Sequence, residues 1–151
     1  WSGALARRYG GAMPISAAHV GRTYPATPVY RVSAATVHDF ATALQDPALE
    51  YQGPEPVAPP TFAMVVAAQA WEALFGDPDL DLALHRVVHG SQSFVWHRPL
   101  RAGDQVVGVL AIDQVRVRGA VELVGVTVRV QSVDGEPVCD AASTLVHTRA
   151  A

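Results

Sequence analysis

Residues 61–75, with the sequence TFAMVVAAQAWEALF, form an apolar segment that has the length and composition of a helix. Gln69 and Glu72 are its only strongly polar side chains, so a helix here has no solvated face and is expected to be buried. A membrane span needs roughly 20 residues, so we expect protein rather than lipid to cover it. A covering layer can approach closely because several side chains are small, namely Ala63, Ala67, Ala68 and Ala70. The segment therefore predicts a central helix wrapped by a sheet.

Four valine-rich segments that follow this helix supply the wrapping sheet. They span residues 84–100, 104–117, 120–133 and 136–148, and turn residues separate them. Arg118-Gly119 and Asp134-Gly135 predict hairpins, and the residues Arg101 to Asp104 predict another turn. In the third segment valine alternates with smaller or polar residues, which is typical of antiparallel strands with one buried face. The sequence predicts four strands joined as a meander.

The chain before the central helix adds one strand and one shorter helix. Pro25 and Pro28 interrupt the apolar residues 24–32, and proline confines such a strand to the edge of a sheet. Ser33 is a candidate N-cap for an amphipathic helix that is expected to end at Asp46-Pro47. The predicted fold is α+β, a five-stranded antiparallel sheet wrapped around a long buried helix.

Composition sets the broad class of the protein. With 151 residues, the chain is expected to hold a tail over residues 1–12 and a single domain over residues 13–151. A net charge of −3 without a basic run argues against nucleic acid as a partner. Cys139 is the only cysteine, and no Cys/His cluster has metal-ligand spacing. We expect a cytoplasmic protein with no membrane partner, no metal and no cofactor.

Four stretches carry a resemblance to a known family, and they are VGRTYPATPVYRVS (20–33), VAPPTF (57–62), RVVHGSQSFVWHRPLRAGD (86–104) and CDAASTLV (139–146). Together they resemble the MaoC-type dehydratases of the hot-dog fold. More narrowly, they are similar to the N-terminal-type, FAS1-like subunits of paired (3R)-hydroxyacyl-thioester dehydratases. The resemblance implies an acyl-CoA or acyl-ACP thioester as ligand and a second hot-dog subunit, in a homodimer or a heterodimer.

The catalytic motif of that family is altered in this sequence. Catalytic members resemble Asp-x-Asn-Pro-x-His after the first helix, and the matching positions here begin at Asp46 and end at Tyr51. Hydration of an enoyl thioester needs a carboxylate to hold the water and an imidazole to move the α-carbon proton. Tyrosine, with a pKa near 10, is a poor replacement for histidine. Asp46 is also open to a second interpretation, as a turn residue before Pro47.

The head of the central helix departs from the family in a second way. Catalytic relatives resemble Ile-x-His-Gly there, and the glycine N–H can bind the thioester oxygen. Pro59 and Pro60 stand at those positions, and proline has no backbone N–H. The donor is therefore lost unless the N–H of Thr61 replaces it. Two parts of the site are changed, which favours a subunit that does not perform the chemistry alone.

Further residues are candidates for binding the ligand. The helix head and nearby aromatic side chains are candidates for the acyl pocket, although core packing explains the aromatic residues equally well; the set is Pro59, Pro60, Thr61, Phe62, Trp71, Phe94 and Trp96. Arg98 and Arg101, next to His97, are candidates for binding the carrier, since guanidinium suits phosphate. A solvated strand end is the alternative for these three.

Three functions remain open on the sequence. The first is a non-catalytic, acyl-chain-binding partner in a heterodimeric dehydratase. The second is a self-sufficient (R)-specific enoyl-CoA hydratase that uses Asp46 and Tyr51 in a homodimer. The third is a thioesterase in which Glu72 acts as the base, although a solvated Glu72 near the end of the helix is the simpler interpretation.

Overall fold

The computed structural model describes residues 14–150, so the predicted tail over residues 1–12 lies outside the described residues. Two helices and five strands make up the fold: β1 (Tyr30–Arg31), α1 (Ala34–Ala43), α2 (Ala63–Phe75), β2 (Val87–Trp96), β3 (Gln105–Arg118), β4 (Val121–Ser132) and β5 (Pro137–Thr148). Short 3₁₀ turns precede α2 and β2. The predicted α+β fold, a five-stranded sheet around a long helix, is confirmed.

The sheet is antiparallel, with the strand order β1-β3-β4-β5-β2. The two predicted hairpins at Gly119 and Gly135 join β3 to β4 and β4 to β5. The meander prediction is wrong for β2, because this strand pairs with β5 and not with β3. The turn at residues 101–104 does form, with the Asp104 N–H bonded to the Arg101 carbonyl, but the N–H groups of Gly103 and Ala102 bond to the carbonyls of Val32 and Pro56. It therefore connects strands on opposite sides of the sheet, and β2 is left as a ten-residue edge strand.

Helix α2 packs on the concave face of the sheet through residues such as Val66, Ala67 and Leu74, which are fully buried. Gly108 on β3 permits this approach, since a Cβ atom there would lie 2.9 Å from Cγ1 of Val128 and 3.6 Å from Cγ1 of Val66. No helix in the described part of the chain is long and apolar enough to cross a membrane.

The prediction that α2 is buried on all sides is wrong for the single chain. Ala68, Glu72 and Ala73 are exposed, while Val65 and Trp71 are half-buried. The sheet covers only the other side of the helix, because it curls around α2 without closing. The Trp71 ring lies 5.1 Å from the ring of His89 on β2, so this open flank runs beside the free edge strand.

Helix α1 begins as predicted and ends earlier. The Ser33 side chain accepts a hydrogen bond from the Thr36 N–H at 3.1 Å, which confirms the N-cap. The helix ends at Ala43 rather than at Asp46-Pro47. Gln45 adopts a left-handed backbone with a φ of 56°, and the Asp46 N–H bonds to the Ala41 carbonyl. This closing turn stops the helix before the proline can do so.

A polar cluster ties the N-terminal segment to the connection after α2. Asp77 accepts a hydrogen bond from Arg22 at 2.6 Å and one from the Tyr24 hydroxyl at 2.7 Å. Burial of Asp77 by itself raises its pKa, but these two hydrogen bonds, the Asp79 N–H and the charge of Arg22 together outweigh burial and leave the pKa below the ordinary value. Burial of Tyr24 and its hydrogen bond to Asp77 raise the pKa of the Tyr24 phenol.

We expect Asp77→Asn to lower the free energy of unfolding at pH 7 by about 1 to 2 kcal/mol, because the bonds from Arg22 and Tyr24 weaken. The wild-type carboxyl contributes this stability above its unfolded-state pKa and loses it as the pH falls toward the lower folded-state pKa. Urea unfolding between pH 7 and pH 2 should therefore show a shallower acid loss for Asp77→Asn than for the wild type. The exposed Asp81→Asn is the matched control, and equal acid slopes for Asp77→Asn and the wild type would contradict the prediction.

Candidate functional site

A cavity of about 390 Å³ opens where three parts of the chain meet. These parts are the 3₁₀ turn Leu49–Tyr51, the loop before α2 and the C-terminal end of β2. The cavity is lined by Glu50, Tyr51, Val57, Ala58, Pro60, Trp96, His97, Arg98 and Pro99. The structure thus brings Tyr51, Pro60, Trp96 and Arg98 together, although these candidates come from separate parts of the sequence.

Tyr51 is nearly buried at the cavity wall, with 8% of its surface exposed. Burial raises the pKa of its phenol, and the carboxylates of Asp46 and Glu50 raise it further. The phenol is therefore neutral at pH 7. It can donate a hydrogen bond to a ligand, but it cannot accept a proton as an imidazole does.

Asp46 forms the turn that leads to Tyr51. Its Oδ1 accepts the Ala48 N–H at 3.1 Å, as in the turn interpretation of this residue. The side chain is half-buried and does not line the cavity, but it is close enough to raise the Tyr51 pKa. The role of Asp46 and Tyr51 as a degenerate catalytic pair stays a prediction.

The head of α2 supplies one wall of the cavity. Pro60 lines it and brings no N–H donor, while the adjacent Thr61 is exposed and Pro59 is buried. Phe62 has no exposed surface, and its ring packs edge-on against Tyr30 at 6.3 Å and Phe40 at 5.2 Å. Phe62 therefore supports the helix head from within the core.

The aromatic candidates lie at different depths. Trp96 lines the cavity, and the half-buried Phe94 follows it along β2 with the two ring centroids 6.4 Å apart. Trp71 lies on the open flank of α2 beside His89 and not on the cavity. Trp96 and Phe94 thus form an apolar path that leads from the cavity along the inner face of β2.

The carrier-binding candidates are held in different ways. Arg98 is ion-paired with Asp104 at 2.8 Å and with Glu136 at 3.1 Å, and the bond to Asp104 raises its pKa. A carrier phosphate would compete with both carboxylates for this guanidinium. Arg101 is exposed and forms no ion pair with any other residue in the range 14–150. Carrier binding by Arg98 and Arg101 stays a prediction.

A family model described as the FAS1-like, dehydratase domain region matches residues 18–141. The chain belongs to the FAS1-like dehydratase family. A relative of this FAS1-like domain from Cutibacterium acnes, named UPF0336 protein PPA1896, is 53% identical and aligns over 91% of this chain and 96% of its own length. A UPF0336 protein from Saccharopolyspora erythraea is 39% identical over 89% of this chain and 92% of its own length.

Solved structures show the same fold as this FAS1-like domain. The HadBC (3R-hydroxyacyl-ACP dehydratase) complex from Mycobacterium tuberculosis matches with 25% identity and a TM-score of 0.74, over 85% of this chain and 96% of that chain. A MaoC-like dehydratase matches with 25% identity and a TM-score of 0.78, over 88% of this chain and 43% of that chain. The resemblance to MaoC-like hot-dog dehydratases and the predicted hot-dog fold are both confirmed.

Sequence reasoning missed several lining residues of this FAS1-like domain, namely Glu50, Val57, Ala58 and Pro99. Val57 and Ala58 reach the cavity because the loop before α2 pairs with the segment after β2, through a bridge between Val57 and Arg101 and a bond from the Ala58 N–H to the Leu100 carbonyl. The signal available in the sequence was the apolar pair Val57-Ala58, which stands between two groups of prolines. Nothing in the sequence indicated which strand end the loop would meet.

Proposed function

We propose that this chain is the non-catalytic, acyl-chain-binding subunit of a MaoC-like (3R)-hydroxyacyl-thioester dehydratase. The observation that carries the proposal is that Tyr51 and Pro60, the two altered motif positions, line one cavity. Tyr51 replaces the proton-transferring histidine with a neutral phenol, and Pro60 removes a backbone donor. A second hot-dog subunit with an intact Asp/His pair would then perform the hydro-lyase step.

The cavity suits an acyl thioester. Its walls include apolar side chains of Trp96, Val57 and Pro60, which favour a hydrocarbon tail. Phe94 continues the apolar surface inward. The Tyr51 hydroxyl can donate a hydrogen bond to a polar group of the bound acyl chain, but it does not catalyse proton transfer.

The edge strand β2 is the surface that we assign to the second subunit. It is the longer of the two edges of the sheet, and Val88 and Val95 on it are 67% and 59% exposed. An unpaired apolar edge invites strand pairing, and the open flank of α2 beside it offers further apolar area. The structural relative HadBC is a complex, which supports a paired assembly for this chain.

The homodimeric hydratase is the second candidate function. The proximity of Asp46 to Tyr51 favours it, because the Asp46 carboxylate is close enough to raise the Tyr51 pKa, but the direction of that shift opposes proton transfer by the phenol. A thioesterase has less support, because Glu72 is exposed and does not line the cavity. An assay with crotonyl-CoA and longer enoyl-CoA separates the three, since hydration removes the enoyl absorbance and a thioesterase releases free thiol.

The proposal also covers the cellular compartment and the metabolism in which the protein acts. The free thiol of Cys139 is buried, and burial raises its pKa to about 12, so it is unreactive. A cytoplasmic lyase of fatty acid or polyketide metabolism fits the proposed substrate.

Assembly through β2 predicts that Val88→Lys/Val95→Lys weakens association with the second subunit by about tenfold or more, because two charges must be desolvated at the seam. The matched control is Val133→Lys, a 50% exposed valine next to the β4–β5 turn. Sedimentation velocity of each variant mixed with the second subunit measures the effect. The assembly would be contradicted if the wild-type chain and the second subunit do not associate at micromolar concentrations. Equal association of all variants would contradict it as well.

A further inference from the structure

We propose that three arginines at one end of the sheet form the docking surface for an acidic acyl-carrier protein. This arginine ridge consists of Arg86, Arg116 and Arg118, all of them exposed. The inference rests on the proposed function, because it places the carrier beside the catalytic pocket of the second subunit. The ridge lies at the opposite end of β2 from the chain's own cavity.

Strand register places Arg116 and Arg118 on the convex face of the sheet. Arg116 pairs with Leu123 and Arg118 with Val121, while the intervening Glu122 points inward and is 1% exposed. Side chains alternate along a strand, so both arginines project outward. Arg86 ends the 3₁₀ turn Leu84–Arg86 and directly precedes the pair Val87–His147 at the start of β2.

The width of the ridge favours a protein surface over a single phosphate. Arg118 on β3 and Arg86 at the start of β2 are separated by three strand intervals, which is roughly 14 Å at the usual strand spacing. Val121, which pairs with Arg118, is exposed between the arginines. Separated guanidinium groups around apolar side chains match an acidic protein face, whereas one phosphate would engage one or two of them.

Neighbouring acidic groups leave the charge of the ridge in place. Glu122 is bound by His147 at 2.7 Å and by the Arg149 guanidinium, so its charge is used inside the fold. Asp113 on β3 accepts a hydrogen bond from Thr127 at 2.5 Å. The three ridge arginines form no ion pair within residues 14–150. In a chain with a net charge of −3, they form a local positive surface.

The antiparallel geometry of an edge-to-edge assembly explains why the ridge would serve the second subunit. The cavity of this chain lies at the C-terminal end of β2. When two such edge strands pair antiparallel, each C-terminal end lies beside the N-terminal end of the other strand. The catalytic pocket of the second subunit would then lie next to Val87, close to the ridge. A carrier docked on the ridge could deliver its thioester to that pocket.

The test compares Arg116→Glu/Arg118→Glu with Arg31→Glu/Arg129→Glu, which changes the net charge equally at exposed sites elsewhere on the sheet. Each chain is assembled with the second subunit, and the dissociation constant for crotonyl-loaded acyl-carrier protein is measured at two salt concentrations. We expect the ridge variant to bind about tenfold more weakly, with a smaller salt dependence, and the control to stay within about twofold of the wild type. The KM for crotonyl-CoA should rise less than the KM for the carrier-linked substrate.

Unchanged carrier binding by the ridge variant would overturn the proposal, and so would an equal loss in the control. An equal rise in KM for both substrates would assign the ridge to a shared phosphate and would overturn docking of the carrier surface. If the mixed subunits fail to hydrate crotonyl-CoA, the proposed function fails instead. Carrier binding to the full chain alone then still decides whether the ridge is a docking surface.

Discussion

Purified alone, the chain is expected to hydrate crotonyl-CoA at least about 10⁴-fold more slowly than an intact family member. Loss of a general acid/base group costs on the order of 10²-fold, and loss of an oxyanion donor costs a similar factor. On the proposed function the chain lacks both, because Tyr51 is a neutral phenol and Pro60 has no N–H. The disappearance of the enoyl absorbance measures this rate directly, and mixing with the second subunit should restore turnover.

Single replacements should not repair the site. We expect Tyr51→His to leave the chain inactive, because Pro60 still provides no donor for the thioester oxygen. Tyr51→His/Pro60→Gly should exceed either single variant, since it returns both groups to one cavity. Tyr51→Phe is the control for the assembled pair, and it should retain turnover because the second subunit supplies the acid/base groups.

Rapid hydration of enoyl-CoA by the isolated chain would contradict the partner hypothesis. If the chain hydrates enoyl-CoA at an ordinary enzyme rate, on the order of 1 s⁻¹ or faster, and Asp46→Asn abolishes that rate, the partner hypothesis is wrong. Asp46 and Tyr51 would then be the working pair of a homodimeric hydratase.

Phe62→Ala is expected to lower the free energy of unfolding by about 3 to 5 kcal/mol, which is a large part of the stability of a domain of this size. Phe62 has no exposed surface, and its ring joins the head of α2 to Tyr30 and to Phe40 of α1. Its removal leaves a cavity between three elements and weakens the support of Pro60. Urea unfolding followed by circular dichroism measures the loss.

Two controls separate the burial of Phe62 from its aromatic character. Phe62→Leu keeps most of the side-chain volume. Apart from the lost ring contacts, it should lower the free energy of unfolding by less than about 1.5 kcal/mol. Phe94→Ala, at a half-buried position on β2, should cost clearly less than Phe62→Ala. A cost below about 1 kcal/mol for Phe62→Ala would show that the neighbouring rings close the gap, contrary to our expectation.

Periodicity along the chain was enough to establish the main elements of the fold. The apolar run at residues 61–75 indicated α2, and the alternating valines of 121–132 indicated a half-buried strand, because each pattern reflects one repeating backbone geometry. Pro25 and Pro28 indicated an edge strand, and Ser33 a helix start, since both signals act over a few residues. The family resemblance made Tyr51 and Pro60 candidates, and the structure places both on one cavity, while their role stays a prediction.

Tertiary packing set the features that depend on distant residues. The local turn at residues 101–104 could not show that β2 pairs with β5, because strand pairing joins residues far apart in sequence. Composition alone could not reveal the open flank of α2, since the sequence of an apolar helix has the same composition whether a sheet covers one side of it or all sides. The ion pairs of Arg98 and the meeting of the Val57 loop with Trp96 likewise arise only when separate segments are brought together. Local patterns thus specify elements and candidate residues, whereas burial, pairing and charge neutralisation are properties of the assembled fold.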